Sequence, residues 1–413
     1  MSSIDPTPPG AAVRDGELAA LRAAVAASEA AYLAELERLV AIDSGSYAPG
    51  GVAAVGARVG AALAELGARL DVRPDPDGRL GPSVVGTVDG APGGRRVLLI
   101  GHVDTVFADG TAADRPFRLA AGRVTGPGVC DDKGGTLAGI AALRALLALG
   151  PLPFERLVFL VTPDEEIGSP SSTPLVRALA ADADAALVLE CARANGDIVS
   201  ARKGVIDLEL VITGRAAHAA VEPEKGHSAI LEAAHQVVGL HRLAGRWPGV
   251  TVNVGVVEGG TRPNVVAERA RLEVDVRAPD RSGLERTEAA IHELAAAPAV
   301  PGTRITIRER SRHWPMEKSP AAARLVEHAV ALAARLGFEV RDTATGGASD
   351  ANTTAGMGVP TLDGLGPVGG DHHAIDEWLD VASIVPRTAL LAALLLAIAR
   401  DRATARRRPA PGG

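Results

Sequence analysis

Two cysteines in 413 residues, Cys130 and Cys191, are too few for a disulfide framework. They do not form a thiolate set of zinc-finger spacing either, which excludes a structural zinc site of that kind. Basic charge is not in excess. The net charge is −7, and the Arg-rich end, Arg406 to Arg408, reads as a solvated tail, so nucleic-acid binding is not expected. Long apolar runs are also missing. The longest, around Ala389–Ala399, is too short to span a bilayer and reads as a buried helix, so no membrane partner is expected. The opening Met-Ser-Ser-Ile-Asp-Pro lacks the basic and apolar segments of a secretory signal, and a cytoplasmic location is expected. No internal repeat is present.

What is there is ordinary for a globular chain: 47% hydrophobic and 23% charged residues. The length exceeds one typical core and predicts two domains. Residues 1–15 are rich in Pro and Gly and read as disordered, as does the tail 403–413. Helical spacing of apolar residues predicts helices over about Glu17–Val40 and Val52–Leu66. Strands follow at about Arg69–Val72, Ser83–Val88 and Val97–Gly101, then a helix at Thr136–Leu149 and buried strands at Leu157–Thr162 and Ala185–Leu189. Beyond Lys203 the pattern changes. Val205–Thr213, Thr251–Val257 and Glu268–Arg277 alternate like half-buried antiparallel strands, with helices at about His227–Leu243 and Arg281–Ala296 and a closing strand near Arg304–Arg308. From Ser319 the first pattern returns, with helices at Pro320–Leu336 and Ala382–Arg400 and a strand at Val359–Leu362. The expected class is α/β: a mixed-sheet catalytic domain (16–203 plus 313–402) with an α+β sandwich inserted over 204–312.

Three of the apolar strands end in residues able to hold a metal. Val97–Gly101 delivers His102 and Asp104, which point to the same side while the strand persists, so that the carboxylate can fix the tautomer of the imidazole. Leu157–Thr162 delivers Asp164, Glu165 and Glu166, and Ala185–Leu189 delivers Glu190. In an open α/β sheet ligands bind at these carboxyl ends. Asp131, in the turn-rich Gly126–Gly135, and the doublet His372-His373 complete a donor set of carboxylates and imidazoles. Such a set suits a catalytic pair of zinc, cobalt or manganese ions.

Gly101-His102-Val103-Asp104, Gly128-x-x-Asp131-Asp132-Lys133-Gly134-Gly135, Asp164-Glu165-Glu166-x-Gly168 and His373-x-x-Asp376-Glu377 resemble one group in order and spacing. It is the di-zinc family of glutamate carboxypeptidase, acetylornithine deacetylase, succinyl-diaminopimelate desuccinylase and aminoacylase. The resemblance runs from about residue 35 to 400. It implies two Zn2+ per chain, with Co2+ or Mn2+ as substitutes. One zinc would be held by His102, Asp131 and Glu190, the other by Asp131, Glu166 and His373, with Asp131 bridging. Glu165 would be the general base and Asp104 the carboxylate orienting His102. The Asp131–Asp132 peptide is expected to be cis. His372 is the alternative to His373. Cys130 and Cys191 adjoin the ligands, Cys191 where many relatives have Pro. They read as small buried residues or, alternatively, as thiols that make activity sensitive to oxidation.

In the inserted domain, Gly214-Arg215-Ala216-Ala217-His218-Ala219 resembles the family's lid motif. The resemblance implies that His218 stabilises the oxyanion in a partner's site, that Asn264 also crosses from the partner, and that Arg277 anchors substrate. A homodimer through the inserted domain follows. Gly347 and Ser349 lie in a Gly-rich turn whose N–H groups can bind a carboxylate, or where Ser349 or Asp350 simply caps a helix. A guanidinium for the substrate carboxylate is sought at Arg310 or Arg312, between which the residues do not decide. The expected activity is hydrolysis of the amide bond of a peptide, or of an N-acyl amino acid as in the deacylases, with a free α-carboxylate. A non-catalytic relative that only binds such ligands is the alternative from another class.

Overall fold

A computed structural model describes residues 8–406. The chain divides into two compact units. The first comprises residues up to Ser200, Lys318–Ala344 and those from Ser349 onward; the second comprises Ala201–Glu317 with Thr345–Ala348. The second unit thus begins and ends a few residues outside the expected 204–312, and takes in the short Gly-rich turn as well. The mixed α/β class is the one expected.

In the first unit the chain runs α1 (Asp15–Val40), α2 (Pro49–Glu65), β1 (Arg69–Arg73), β2 (Ser83–Asp89), β3 (Arg95–His102), a short α3 (Thr111–Asp114), β4 (Arg118–Ala120), β5 (Arg123–Thr125), α4 (Lys133–Leu149), β6 (Phe154–Thr162), α5 (Thr173–Asp182), β7 (Ala185–Val188) and β8 (Ile198–Arg202). Six strands form the main sheet, which includes the later β14 (Thr361–Leu362), in the order β1-β2-β6-β3-β7-β14. β3 lies parallel to β6 and β7, and β7 to β14. Covered on both faces, these central strands are continuous apolar runs: Val97, Leu98, Leu99 and Ile100 are buried, as are Leu157, Phe159, Leu160 and Val161. Their parallel register brings the ends of β3, β6 and β7 to one edge.

Gly135, in the first turn of α4, permits that assembly. A Cβ there would stand 1.9 Å from the Leu189 carbonyl oxygen and 2.0 Å from Asp132 Oδ1. No other residue lets α4 approach the end of β7 so closely.

In the second unit β9 (Gly204–Thr213), α6 (Ala229–His241), β10 (Thr251–Gly259), β11 (Arg269–Ala278), α7 (Arg281–Ala296) and β12 (Arg304–His313) follow in turn. They build an antiparallel sheet ordered β10-β11-β9-β12. Ala270, Leu272, Val274, Val276 and Ala278 alternate inward along β11. β12 runs five residues past the expected Arg308.

The first unit is completed by α8 (Pro320–Leu336), β13 (Asp342–Thr345), α9 (Asp350–Gly356), β15 (Gly369–Gly370), β16 (Trp378–Asp380) and α10 (Val381–Arg400). Strands β15, β16, β5 and β4 form a small sheet that the apolar pattern did not reveal. Among the described residues α10 is long and apolar enough to cross a membrane. In this fold it packs on α1, α4 and α8, and 78% of its most apolar window is buried.

Residues 8–15 are not disordered, contrary to expectation. Val13 is in the core, and the Gly10 N–H donates to His328 Nδ1 on α8 at 3.0 Å. Likewise Thr404 and Ala405 are buried. The remaining expectations for the termini, 1–7 and 407–413, lie outside the described residues. His328 is itself fully buried and bonds Asp401 through Nε2 at 2.8 Å, so one neutral imidazole ties both chain ends to α8. His328→Leu is expected to cost about 1–3 kcal/mol, because it strands a buried N–H and removes one partner of Asp401. A lower urea midpoint with faster proteolysis before Asp15 would show it; unchanged values would deny this tie.

Candidate active site

β3 places His102 where the parallel strands end, and the ring is 1% exposed. Its Nδ1 lies 3.1 Å from the Asp104 carbonyl oxygen and 3.3 Å from Asp104 Oδ1. Its Nε2 faces Asp131 Oδ1 at 2.9 Å and Glu190 Oε1 at 3.6 Å. On the other side Asp131 Oδ2 lies 3.4 Å from His373 Nε2, which in turn meets Glu166 Oε2 at 3.0 Å. One carboxylate therefore faces two groups of donors. Among the described residues, His102, Asp131 and Glu190 form one set with donor atoms within 4.8 Å of one another, and Asp131, Glu166 and His373 form a second.

Supporting bonds aim these side chains. The Asp131–Asp132 peptide is cis, as the sequence resemblance implied. Asp104 accepts the Ser46 hydroxyl at 2.7 Å and the N–H groups of Glu165 and Glu166 at 3.1 Å each. It thereby fixes the turn after β6 as well as the His102 ring. Glu377, 1% exposed, accepts N–H bonds from Gly128 and Cys130 at 2.9 Å and from Asp131 at 3.1 Å. The sequence reading assigned Glu377 no role. Its fixed spacing from His373 was the available signal.

The crowding of carboxylates sets the electrostatics. Burial, followed by the charges of Glu190, Asp350 and Glu166, holds the Glu165 carboxyl well above its ordinary value, against the opposing pull of His102. Burial would depress the His102 imidazole, but its bonds to Asp104 and Asp131 outweigh that and hold it well above its usual value. For Asp131 burial acts upward, and the imidazoles of His102, His372 and His373 bring it well below the usual carboxylate range.

The doublet divides. Asp371 and His373 both adopt left-handed backbone, with φ of 55° and 63°. The chain thus turns on either side of His372; both rings meet Asp131 Oδ2, while Glu166 adjoins His373 and the two thiols adjoin His372. His372 Nδ1 bonds Asp131 Oδ2 at 3.1 Å, and its Nε2 lies 3.2 Å from Cys191 Sγ and 4.0 Å from Cys130 Sγ. Both cysteines are free thiols and fully buried. Gly369 makes room for them, since a Cβ there would lie 2.3 Å from Cys130 Sγ. Beside Glu166 a cavity of about 540 Å³ is lined by Tyr47, Val106, Phe107 and Ile167 among others.

The remaining candidates are placed as follows. Ser349 caps α9: its hydroxyl accepts the Ala351 N–H at 3.1 Å and donates to Asp363 at 2.7 Å. In the second unit the Gly347 carbonyl accepts Arg202 Nη1 at 3.1 Å. Arg277 bonds Asp275 and, at 2.9 Å, the Gly346 carbonyl. Arg310 pairs with Glu209 at 2.7 Å, and Arg312 with Glu288 and Glu309 at 2.6 Å, so neither competing guanidinium lacks a carboxylate. His218 is exposed, and its Nδ1 accepts the N–H groups of Ala220 and Val221 at 3.2 Å. In the neutral ring this leaves the hydrogen on Nε2. The Ala219 N–H donates to the Asn264 carbonyl at 3.1 Å, which joins the two segments.

Comparison with known proteins places this geometry. The model of the peptidase family M20/M25/M40 matches residues 98–397. The chain is 30% identical over 372 residues to carboxypeptidase G2 of Pseudomonas sp., covering 89% of this chain and 88% of the relative. It is 32% identical over 262 residues to acetylornithine deacetylase of Myxococcus xanthus, covering 60% and 67%. Its fold is similar to that of aminopeptidase PepT from Bacillus cereus, with a TM-score of 0.74, 23% identity and coverage of 90% and 99%. The chain belongs to peptidase family M20/M25/M40 and is a hydrolytic metallopeptidase.

Proposed function

We propose that this enzyme is a dinuclear zinc amidohydrolase that releases an amino acid with a free α-carboxylate from a peptide or an N-acyl amino acid. The observation that carries the reading is the placement of Asp131, which belongs to two sets of three donors, with Oδ1 toward His102 and Oδ2 toward His373. The donor chemistry fits. Each set offers one imidazole and two carboxylates, an N/O combination that suits zinc in an open catalytic site. Three carboxylates converge at one strand edge, and two dications offset their repulsion.

His102, Asp131 and Glu190 would hold one ion, and Asp131, Glu166 and His373 the other. His373 is favoured over His372 because its Nε2 meets Glu166. Bound zinc supplies a Lewis acid for the amide carbonyl and lowers the pKa of a water to roughly 7. Glu165 takes a proton from the attacking water and delivers it to the leaving nitrogen. Asp104 orients both His102 and the Glu165 backbone. The cavity beside Glu166, walled by Tyr47, Val106, Phe107 and Ile167, suits an apolar acyl group or side chain. Carboxypeptidase G2 and acetylornithine deacetylase are both relatives, so the peptidase and deacylase readings share this chemistry and differ in the acyl group accepted. Metal analysis with a screen of N-acyl amino acids and dipeptides decides between them, and absence of turnover on every substrate would favour a ligand-binding relative.

Glu165→Gln should keep the metal content of the wild type and lower kcat by about 100-fold to 10,000-fold. Glu166→Gln should lose one equivalent of metal. If both variants kept wild-type metal and wild-type turnover, these roles would be wrong.

We further propose a homodimer through the second unit, in which His218 donates from Nε2 to the oxyanion in the partner's site, beside Asn264, while Arg277 anchors substrate. Its support within this chain is the tautomer that Ala220 and Val221 impose on His218, and a group of exposed apolar side chains. The exposed apolar side chains are Ile230, Leu231 and Val238 on α6 and Val257 on the edge strand β10. Gly347 is proposed at the substrate carboxylate through its backbone N–H; Ser349 is not, because its N–H donates to Asn352 Oδ1 at 3.0 Å and its hydroxyl caps α9. Mixing Glu165→Gln with His218→Ala under subunit exchange should restore up to about a quarter of wild-type activity, since half the dimers are mixed and half their sites intact. No recovery despite demonstrated exchange would exclude a His218 acting in trans.

A further inference from the structure

We propose that Cys130 Sγ, Cys191 Sγ and His372 Nε2 form a third cation site, selective for a thiophilic metal such as Zn2+ or Cd2+. It takes none of the donor atoms of the two carboxylate–imidazole sets, although Asp131, which belongs to both, also holds the His372 ring. The three donor atoms lie within 4.8 Å of one another. His372 Nε2 is 3.2 Å from one sulfur and 4.0 Å from the other. In a tetrahedral zinc site the sulfur-to-nitrogen edge is about 3.6 Å, which these two values bracket.

The far side of the imidazole is arranged as metal-binding histidines require. Its Nδ1 donates to Asp131 Oδ2 at 3.1 Å, and that bond holds the ring with Nε2 toward the sulfurs. Two sulfurs and one imidazole nitrogen form a soft donor set, unlike the oxygen-rich sets beside it, so a thiophilic ion prefers this place. The thiols are fully buried while the His372 side chain is 26% exposed, so an ion reaches the sulfurs past the ring. On binding, the hydrogens held among the two sulfurs and Nε2 leave to solvent as metal–ligand bonds replace them, and no oxidant or reductant is needed. The backbone is left-handed at Asp371 and His373, and the adjacent imidazoles, both bonded to Asp131, have different further partners: Glu166 for His373 and the thiols for His372.

The test titrates metal-loaded wild-type enzyme, thiols kept reduced, with Cd2+. It should take up one further equivalent with sulfur-to-metal charge-transfer absorption, which oxygen and nitrogen ligands do not produce. Cys130→Ser and Cys191→Ser should abolish the absorption and the extra equivalent, and His372→Ala should weaken the site by at least about tenfold. Glu166→Gln should leave the absorption intact, which separates this site from the proposed catalytic pair. Should a cysteine variant fail to fold, wild-type enzyme still decides: Cd2+ should slow alkylation of the two thiols by at least about tenfold. Absence of charge-transfer absorption, its persistence in Cys191→Ser, or alkylation unchanged by Cd2+ would each overturn the site.

Discussion

The Glu377 carboxylate is the constraint on which the site depends. It receives the backbone N–H groups of Gly128, Cys130 and Asp131 and so sets the path of a turn-rich loop that has no regular structure of its own. Every donor group in the site includes a residue of that loop or faces one: Asp131 belongs to two groups and Cys130 to the third. A buried acceptor that holds three backbone donors leaves the loop few alternative paths of similar energy. The close contact of Gly135 with Leu189 then locks the start of α4 to the strand end that carries Glu190.

Around this loop the chain gathers like charges that would repel at these separations. Three imidazoles converge on Asp131 and bring its proton affinity down, while Glu165, with several acidic neighbours and no imidazole bonded to it, moves the other way. The two carboxyl groups therefore differ through their surroundings. Asp104 contributes by geometry: a single carboxylate holds the ring of one strand end and the backbone of the next.

Much of this was legible from local pattern. The parallel strands β3, β6 and β7 are buried on both faces, so they read as unbroken apolar runs and their ends can be located. The small sheet of β4, β5, β15 and β16 was not legible, because strands of two or three residues carry no period and β4 is exposed throughout. Order in residues 8–14 depends on His328, 318 residues from Gly10, and no composition rule reports such a contact. Glu377 was missed as a positioning group because it acts on backbone N–H groups nearly 250 residues away. His102, Glu166 and Glu190 could be named because their types stand at strand ends, whereas Asp131 and His373 were implied by the family resemblance. Between His372 and His373 the motif spacing favoured His373; the placement of the His372 ring beside the two thiols was not legible, because it rests on backbone dihedrals.

That placement has a consequence for transplanting the thiol pair. The left-handed turns at Asp371 and His373 make two consecutive residues face different chemistries, so the soft donor set is a property of the loop and not of the cysteines alone. A relative given both cysteines but a single histidine would acquire two buried sulfurs without an imidazole turned toward them. Installing the trio elsewhere in the family would require exchange of the whole segment from Gly369 to His373.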